Sequence, residues 1–247
     1  MTHIDLFAGL GGFSLGAICS NIATIECVEL NAFRRKELAK IHSSHTKIHD
    51  DINTWQPQQF ADIITMGFPC QDISAANATG KGLAGRRSGL FYQAWRKAML
   101  LRPTYIVMEN VSNLLNRGIH DLLTTIAQSG YSPEYSIVRA SDFGLPHERE
   151  RIYIIAHALQ DRRAYIRISQ SFQITAIPGT SSSPLVSLVA ARRADGFADI
   201  AAIQRGDDVP NIRKYLAGLG DAVPPIIAHY FFECIKFHYS LHGNSIS

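Results

Sequence analysis

Over the first 157 residues, short apolar runs alternate with longer mixed segments, and each run ends in polar or glycine-rich chain. "HIDLFAG" predicts a strand entering a tight turn, and "GFSLGAICS" the helix that follows it. "TIECVEL" and "NAFRRKELAKIH" repeat the order of strand and helix. "ADIITMGFP" and "TYIVMENV" predict buried strands with polar ends, and "RERIYIIAHA" a further apolar strand. Strands separated by helical stretches predict an α/β fold with a doubly wound, mixed but mostly parallel sheet. "RAYIRIS", shortly after, fits no single element.

The texture then changes. From about Leu159 to Ala201 the chain is rich in Ser, Thr, Pro and β-branched residues, as in "SFQITAIPGTSSSPLVSL". This predicts a small irregular or β-containing insertion. A loop and a helix of about 15 residues follow in "PNIRKYLAGLGDAVPPIIAHYFFECIKF", by their apolar spacing. The expected organisation is a main domain over 1–157, a short insertion over 158–204, and a segment over 205–247 that returns to the first domain.

Composition narrows the class. The chain has 247 residues, enough for one large domain with a small appendage, and 46% hydrophobic against 18% charged residues. A net charge of +3 is too small to argue by itself for a polyanionic partner. Cys19, Cys27, Cys70 and Cys234 form no CxxC pair, so neither a metal site nor a disulfide framework is expected. "MTHIDLFAGLGG" lacks the basic and apolar regions of a signal peptide, and no apolar run approaches the roughly 20 residues that cross a bilayer. The expected setting is a reducing cytoplasm.

Candidate chemistry sits where the predicted strands end. Gly9, Gly11 and Gly12 lie between a strand and a helix, where the backbone can approach a ligand. Glu29 ends the next strand, a place where a carboxylate accepts hydrogen bonds from ribose hydroxyls. Asp51, in "HDDIN", is placed to meet a purine amino group; the three together favour an adenosine-bearing cofactor. Cys70 follows Pro69 and precedes the polar "QDISAANATGKGLAGRRSG", with basic Arg86 and Arg87. It is either a small buried thiol or a nucleophile at a strand end, under a long loop suited to a lid. Glu109, closing "YIVMENV", is either a helix cap or a buried functional acid. Arg149 and Arg151 share one face if "RERIYIIA" is extended, as a solvated pair or as an anchor for an anion.

In order, "DLFAGLGGFSLG", "VEL", "DDI", "GFPCQDIS", "GLAGRRSGLF", "MENV", "FGLPHERERIYIIA" and "LAGLGDAVPP" make the chain resemble the DNA cytosine-5 methyltransferases. The resemblance spans roughly residues 1–157 and 205–238. It implies S-adenosylmethionine as cofactor, held by Phe7, Gly9, Gly11, Gly12, Glu29 (ribose), Asp51 and Ile52 (adenine), Pro69, Leu90 and Asp221. It implies Cys70 as the nucleophile on carbon 6 of a flipped-out cytosine, Glu109 at the ring N3 and exocyclic amine, and Arg149 with Arg151 at the base carbonyl and the carboxylate. Gln71, Ser74, Arg86 and Arg87 would touch DNA. The chain departs from the family at Asp50 (usually Gly), His147 (usually Gln) and Asp221 (usually Asn).

The resemblance implies double-stranded DNA as substrate and a monomeric enzyme of compact, phage-like or restriction–modification type. A separately encoded restriction endonuclease would be its companion. The insertion would hold the target-recognition region, with Arg162, Arg163, Arg192 and Arg193 as candidate phosphate contacts. The competing readings are a tRNA cytosine-5 methyltransferase, against which stands the absence of a "CFT" tripeptide, and a DNA- or cofactor-binding homologue with weakened catalysis.

Overall fold

The computed structural model describes residues 1–69, 89–145, 147–159 and 222–242. The first strand, β1 (Thr2–Leu6), leads through the glycine turn into α1 (Gly12–Cys19). β2 (Ala23–Val28), α2 (Ala32–Ile41) and β3 (Lys47–His49) follow. The chain then crosses to β4 (Ile63–Met66), on the other side of β1. The remaining elements are α3 (Gly89–Leu101), β5 (Tyr105–Val111), α4 (Leu114–Arg117), α5 (Ile119–Gln128), β6 (Tyr131–Arg139), β7 (Glu150–Ala158) and α6 (Pro225–His242).

Among the described residues, seven strands form one sheet in the order β3-β2-β1-β4-β5-β7-β6. Every pairing is parallel except those of β7, which runs against both β5 and β6. The order reverses between β1 and β4, and a crevice opens outside strand ends at such a switch. The predicted mixed, mostly parallel sheet is therefore what the chain adopts.

Both faces of the sheet are covered, which is why β4 and β5 read as continuous apolar runs without alternation. Ile64, Met66, Ile106 and Met108 pack with Phe91, Trp95 and Ala98 of α3 and Leu122 and Ile126 of α5. Ile63, Tyr105, Val107 and Tyr153 point the other way, onto Phe13 and Ala17 of α1 and Phe231 and Phe232 of α6. The helix α6 packs on α1 and on this face of the sheet. A Cβ on Gly16 would lie 2.5 Å from Ala228 Cβ, so α1 and α6 touch almost backbone to backbone there.

The sequence pattern left "YSPEYSIVR" unassigned, yet it is strand β6. It lies at the sheet edge, mostly half-buried, and contains Pro133, which an edge strand tolerates because no further ladder needs its N–H. Nor did the pattern single out α3, whose start follows the glycine-rich stretch "ATGKGLAGRRS" in sequence. The expected insertion over 158–204 lies outside the described residues except at Ala158 and Leu159.

Candidate functional site

The turn after β1 is built on left-handed backbone: Phe7 has φ 58°, Gly9 φ 60° and Gly11 φ 84°. Phe7 is the exceptional member, since its side chain gives it no excuse for that region. Below the turn, Asp5 Oδ2 accepts hydrogen bonds from the Ser14 amide (3.1 Å) and hydroxyl (2.7 Å), fixing the first turn of α1. Thr65 Oγ1 donates to Asp5 Oδ1 at 2.9 Å, and lies 2.8 Å from His3 Nε2. With its one proton spent on Asp5, Thr65 accepts from Nε2–H, leaving His3 Nδ1 to accept from Thr24 Oγ1 at 2.9 Å. A neutral histidine therefore completes this buried network.

Glu29, at the end of β2, is buried with 7% exposure. Its Oε2 accepts from Gly9 N and its Oε1 from Asn31 N, both at 2.8 Å. The carboxylate thus joins the glycine turn to the start of α2, while each oxygen keeps a second lone pair for a ligand. Asn31 also caps α2, its side chain accepting from Phe33 N and Arg34 N.

The turn after β3 is held from two sides. Glu26 Oε2, almost fully buried, accepts from Trp55 Nε1 at 2.7 Å and lies 2.9 Å from His49 Nε2. Lys97 Nζ donates to the carbonyls of Asn53 and Trp55. Between them, Asp51 Oδ1 accepts from Asn53 N at 2.8 Å and Asn53 Nδ2 at 2.9 Å.

The fourth and fifth strands bring the acid. Glu109 and Asn110 are buried at the end of β5. Arg151 Nε stands 3.1 Å, and Arg149 Nη2 3.7 Å, from Glu109 Oε1. Glu109 Oε2 lies beside Gly67, 3.7 Å from where a Cβ would stand. Asn110 Nδ2 donates to Phe68 O at 3.1 Å, tethering the chain just before Pro69. Glu109 is buried, and the N-cap of the helix that follows is Asn113.

One cavity of about 540 Å³ collects these groups. Phe7, Glu29, Asp51, Ile52, Pro69, Leu90, Glu109, Arg149 and Arg151 all line it. A smaller one of about 60 Å³ adjoins it, with Phe7, Gly9, Gly12, Gly67 and Glu109 in its wall. Gly11 lies outside both walls; a Cβ there would press on Ile41 and Leu38 at 2.9 and 3.0 Å, so it serves the packing of α2. Gly12 borders the small cavity for a steric reason, because a Cβ would come within 2.0 Å of Val223 O. Cys70, Gln71, Ser74, Arg86, Arg87 and Asp221 lie outside the described residues, as do Arg162, Arg163, Arg192 and Arg193. His147 is exposed, and Asp50 lines a separate cavity beside Glu26 and His49.

Sequence reasoning missed Arg34, which lines both cavities, and Asn110. Arg34 sits in a helix full of charge, where a cation attracts no notice; Asn110 adjoins the glutamate that drew attention to its motif.

The residues fit an adenosine-bearing cofactor: a buried carboxylate, a second carboxylate and an apolar wall converge on one cavity next to a close-approach turn. Residues 1–191 match the family model of C-5 cytosine-specific DNA methylases. Type II methyltransferase M2.BsuMI of Bacillus subtilis is 34% identical over 174 residues, which is 67% of this chain and 44% of the relative. Type II methyltransferase M.NlaX of Neisseria lactamica is 31% identical over 166 residues, 64% of this chain and 52% of the relative. The chain thus spans about half the length of these curated relatives. Among solved structures, the Dnmt2 methyltransferase of S. pombe superposes with a TM-score of 0.57 at 21% identity, over 73% of this chain and 57% of that one. Methyltransferase EhMeth of Entamoeba histolytica gives 0.55 at 20%, over 64% and 52%. At those identities the structures speak for the shared fold.

Proposed function

The chain belongs to the C-5 cytosine-specific DNA methylase family, and from that premise we propose that it methylates carbon 5 of a cytosine flipped out of double-stranded DNA, using S-adenosylmethionine. The observation that carries this reading is the placement of Glu109, braced by two arginines, in the same cavity as Glu29 and Asp51. A base-recognising acid and an adenosine-recognising wall then face one space.

The cofactor, when bound, supplies an electrophilic methyl group. Glu29 would accept from its ribose hydroxyls and Asp51 from its adenine amine. Cys70, which Pro69 precedes, would add to carbon 6 as the thiolate, pushing the electron pair toward carbon 5 and the ring N3. Glu109, in its protonated form, would donate to N3 while its other oxygen accepts from the exocyclic amine, so that a proton at N3 offsets the charge that this addition delivers. Arg151 would hold the base carbonyl, and Arg149 would keep the acid in place. Carbon 5 would take the methyl group as its bond to the sulfonium breaks and a neutral thioether leaves; a base would then remove the carbon 5 proton, and the freed electron pair would break the carbon 6–sulfur bond to release the Cys70 thiolate.

The names of the relatives favour a restriction–modification setting, with a separately encoded endonuclease cutting unmethylated DNA. Among the described residues no helix is long and apolar enough to cross a membrane. The test is incubation with mixed DNA and RNA and a methyl-labelled cofactor, followed by identification of the modified base. Label at carbon 5 of DNA cytosine, lost in Cys70→Ala, supports the reading. Label confined to RNA transfers it to tRNA, and no label on either, with cofactor still bound, leaves a binding protein. DNA containing 5-fluorocytosine should trap a covalent adduct at Cys70.

A further inference from the structure

Resting on the proposed cofactor, we propose that Arg34 binds the carboxylate of its methionine moiety. Arg34 lies in the first turn of α2, half-buried, and borders both the large cavity and the small one. Three carboxylates, Glu29, Asp51 and Glu109, stand in the wall of the large cavity. Two of them serve the adenosine end, and the third marks where the methyl group must be delivered. The amino-acid end therefore has the space by Phe7, Gly9, Gly12 and Gly67, which is the wall of the small cavity.

That end carries an ammonium group, which the surrounding acids suit, and a carboxylate, which they repel and which needs a cation close by. Arg149 and Arg151 border the large cavity but not the small one. Among the described residues, Arg34 is the basic side chain common to the walls of both cavities. Its planar fork suits a carboxylate, offering two parallel N–H donors. Its place in α2 couples it to the ribose site, because Asn31 caps that helix and donates its amide to Glu29. The residue would thus read the cofactor's length from ribose to carboxylate.

Calorimetric titration of Arg34→Ala with S-adenosylmethionine and with its decarboxylated analogue tests the assignment. The expected result is a loss of about 10- to 100-fold in affinity for S-adenosylmethionine, the scale of a charge-assisted hydrogen bond. Affinity for the decarboxylated analogue should barely change, and Arg34→Lys should recover part of the loss. Equal losses for both ligands would mean that Arg34 only supports the fold, and no loss for either would remove it from the site; each overturns the assignment. Wild-type protein that binds neither ligand would overturn the cofactor reading itself, a distinct outcome.

Discussion

Arg151 reaches Glu109 diagonally across the antiparallel pair of β5 and β7. In register, Glu109 faces Tyr153 and Arg151 faces Val111, yet Arg151 Nε lies 3.1 Å from Glu109 Oε1. Arg151 and Tyr153, two apart on β7, share a face, and Arg149, just before the strand, reaches the same carboxylate at 3.7 Å.

Removing the acid should cost more than removing one arginine. Glu109→Gln leaves two half-buried cations without their carboxylate, and the expected destabilisation is about 3 kcal/mol. Arg151→Met leaves Arg149 to hold Glu109 and should lose less stability. Both variants should retain affinity for S-adenosylhomocysteine while methyl transfer falls at least about a hundredfold, as for a lost oxyanion-type donor. Urea unfolding and calorimetry separate the effects; equal stability of both variants would contradict the diagonal arrangement.

Tyr153 presents the opposite case. Its hydroxyl is buried with no hydrogen-bond partner among the described residues. Burial first, and then Glu109, push its pKa well above the ordinary value, against the pull of Arg149 and Arg151. The ring stacks on Phe231 at 4.7 Å, a contact that phenylalanine keeps. Tyr153→Phe should be neutral or stabilising by up to about 1 kcal/mol, since the discarded group is unsatisfied. A loss of stability of that size in urea unfolding would show that the hydroxyl has a use.

Under the glycine turn, His3 and Asp5 titrate in opposite senses. Burial, then repulsion from His42, lowers the His3 pKa from 6.5 to about 3. Burial raises that of Asp5 from 3.8 to about 6, against hydrogen bonds from Ser14 and Thr65 and with a smaller push from Glu29. As pH falls below 6.5, only the unfolded chain takes a proton at His3, so stability is lost down to about 3. Over the span from 6 down to 3.8, only the folded chain takes one at Asp5, so stability is gained. Each slope is about 1.4 kcal/mol per pH unit, and they cancel between roughly pH 4 and 6. His3→Gln removes one slope: relative to wild type, its stability should fall by about 2–3 kcal/mol from pH 4 to 6. Parallel stability profiles would sink the idea.

Gly12→Ala should act through the far end of the chain. The new Cβ would sit 2.0 Å from Val223 O, a backbone atom that yields only if the entry to α6 shifts. The expected cost is about 1–3 kcal/mol, as for overpacking, with weaker cofactor binding because the small cavity loses its Val223 wall. Gly67→Ala, whose Cβ would meet only Glu109 Oε2 at 3.7 Å, is the mild comparison. Equal damage from the two substitutions would refute the steric explanation.

Much of this arrangement was legible beforehand, for a physical reason. β4 and β5 are buried on both faces, so their residues form apolar runs, and the polar residues that end them, such as Glu109, stand out. Arg149 and Arg151 could be put on one face from spacing alone. What spacing could not supply was the reversal of β7, which depends on its neighbours, or edge strand β6, whose half-exposure blurs its pattern. Arg34 was hidden because its importance comes from the two cavities it borders rather than from its neighbours in sequence. Gly12 was legible as a glycine but not for its reason, since Val223 meets it only in the folded chain.

The meeting of α1 with α6 also sets a timetable. Ser20 Oγ and His229 Nδ1 lie 2.8 Å apart across 209 positions of sequence, and Gly12 is covered by Val223. During synthesis the glycine turn can form early with β1 and β2, but its Val223 wall arrives only at the entry to α6. Such long-range closure is slow and exposes apolar surface while it waits, here the faces of Phe13 and Ala17 that Phe231 and Phe232 later cover. A nascent or truncated chain lacking α6 should therefore be a client for chaperones, and the glycine turn keeps an uncovered side until Val223 and α6 have been made.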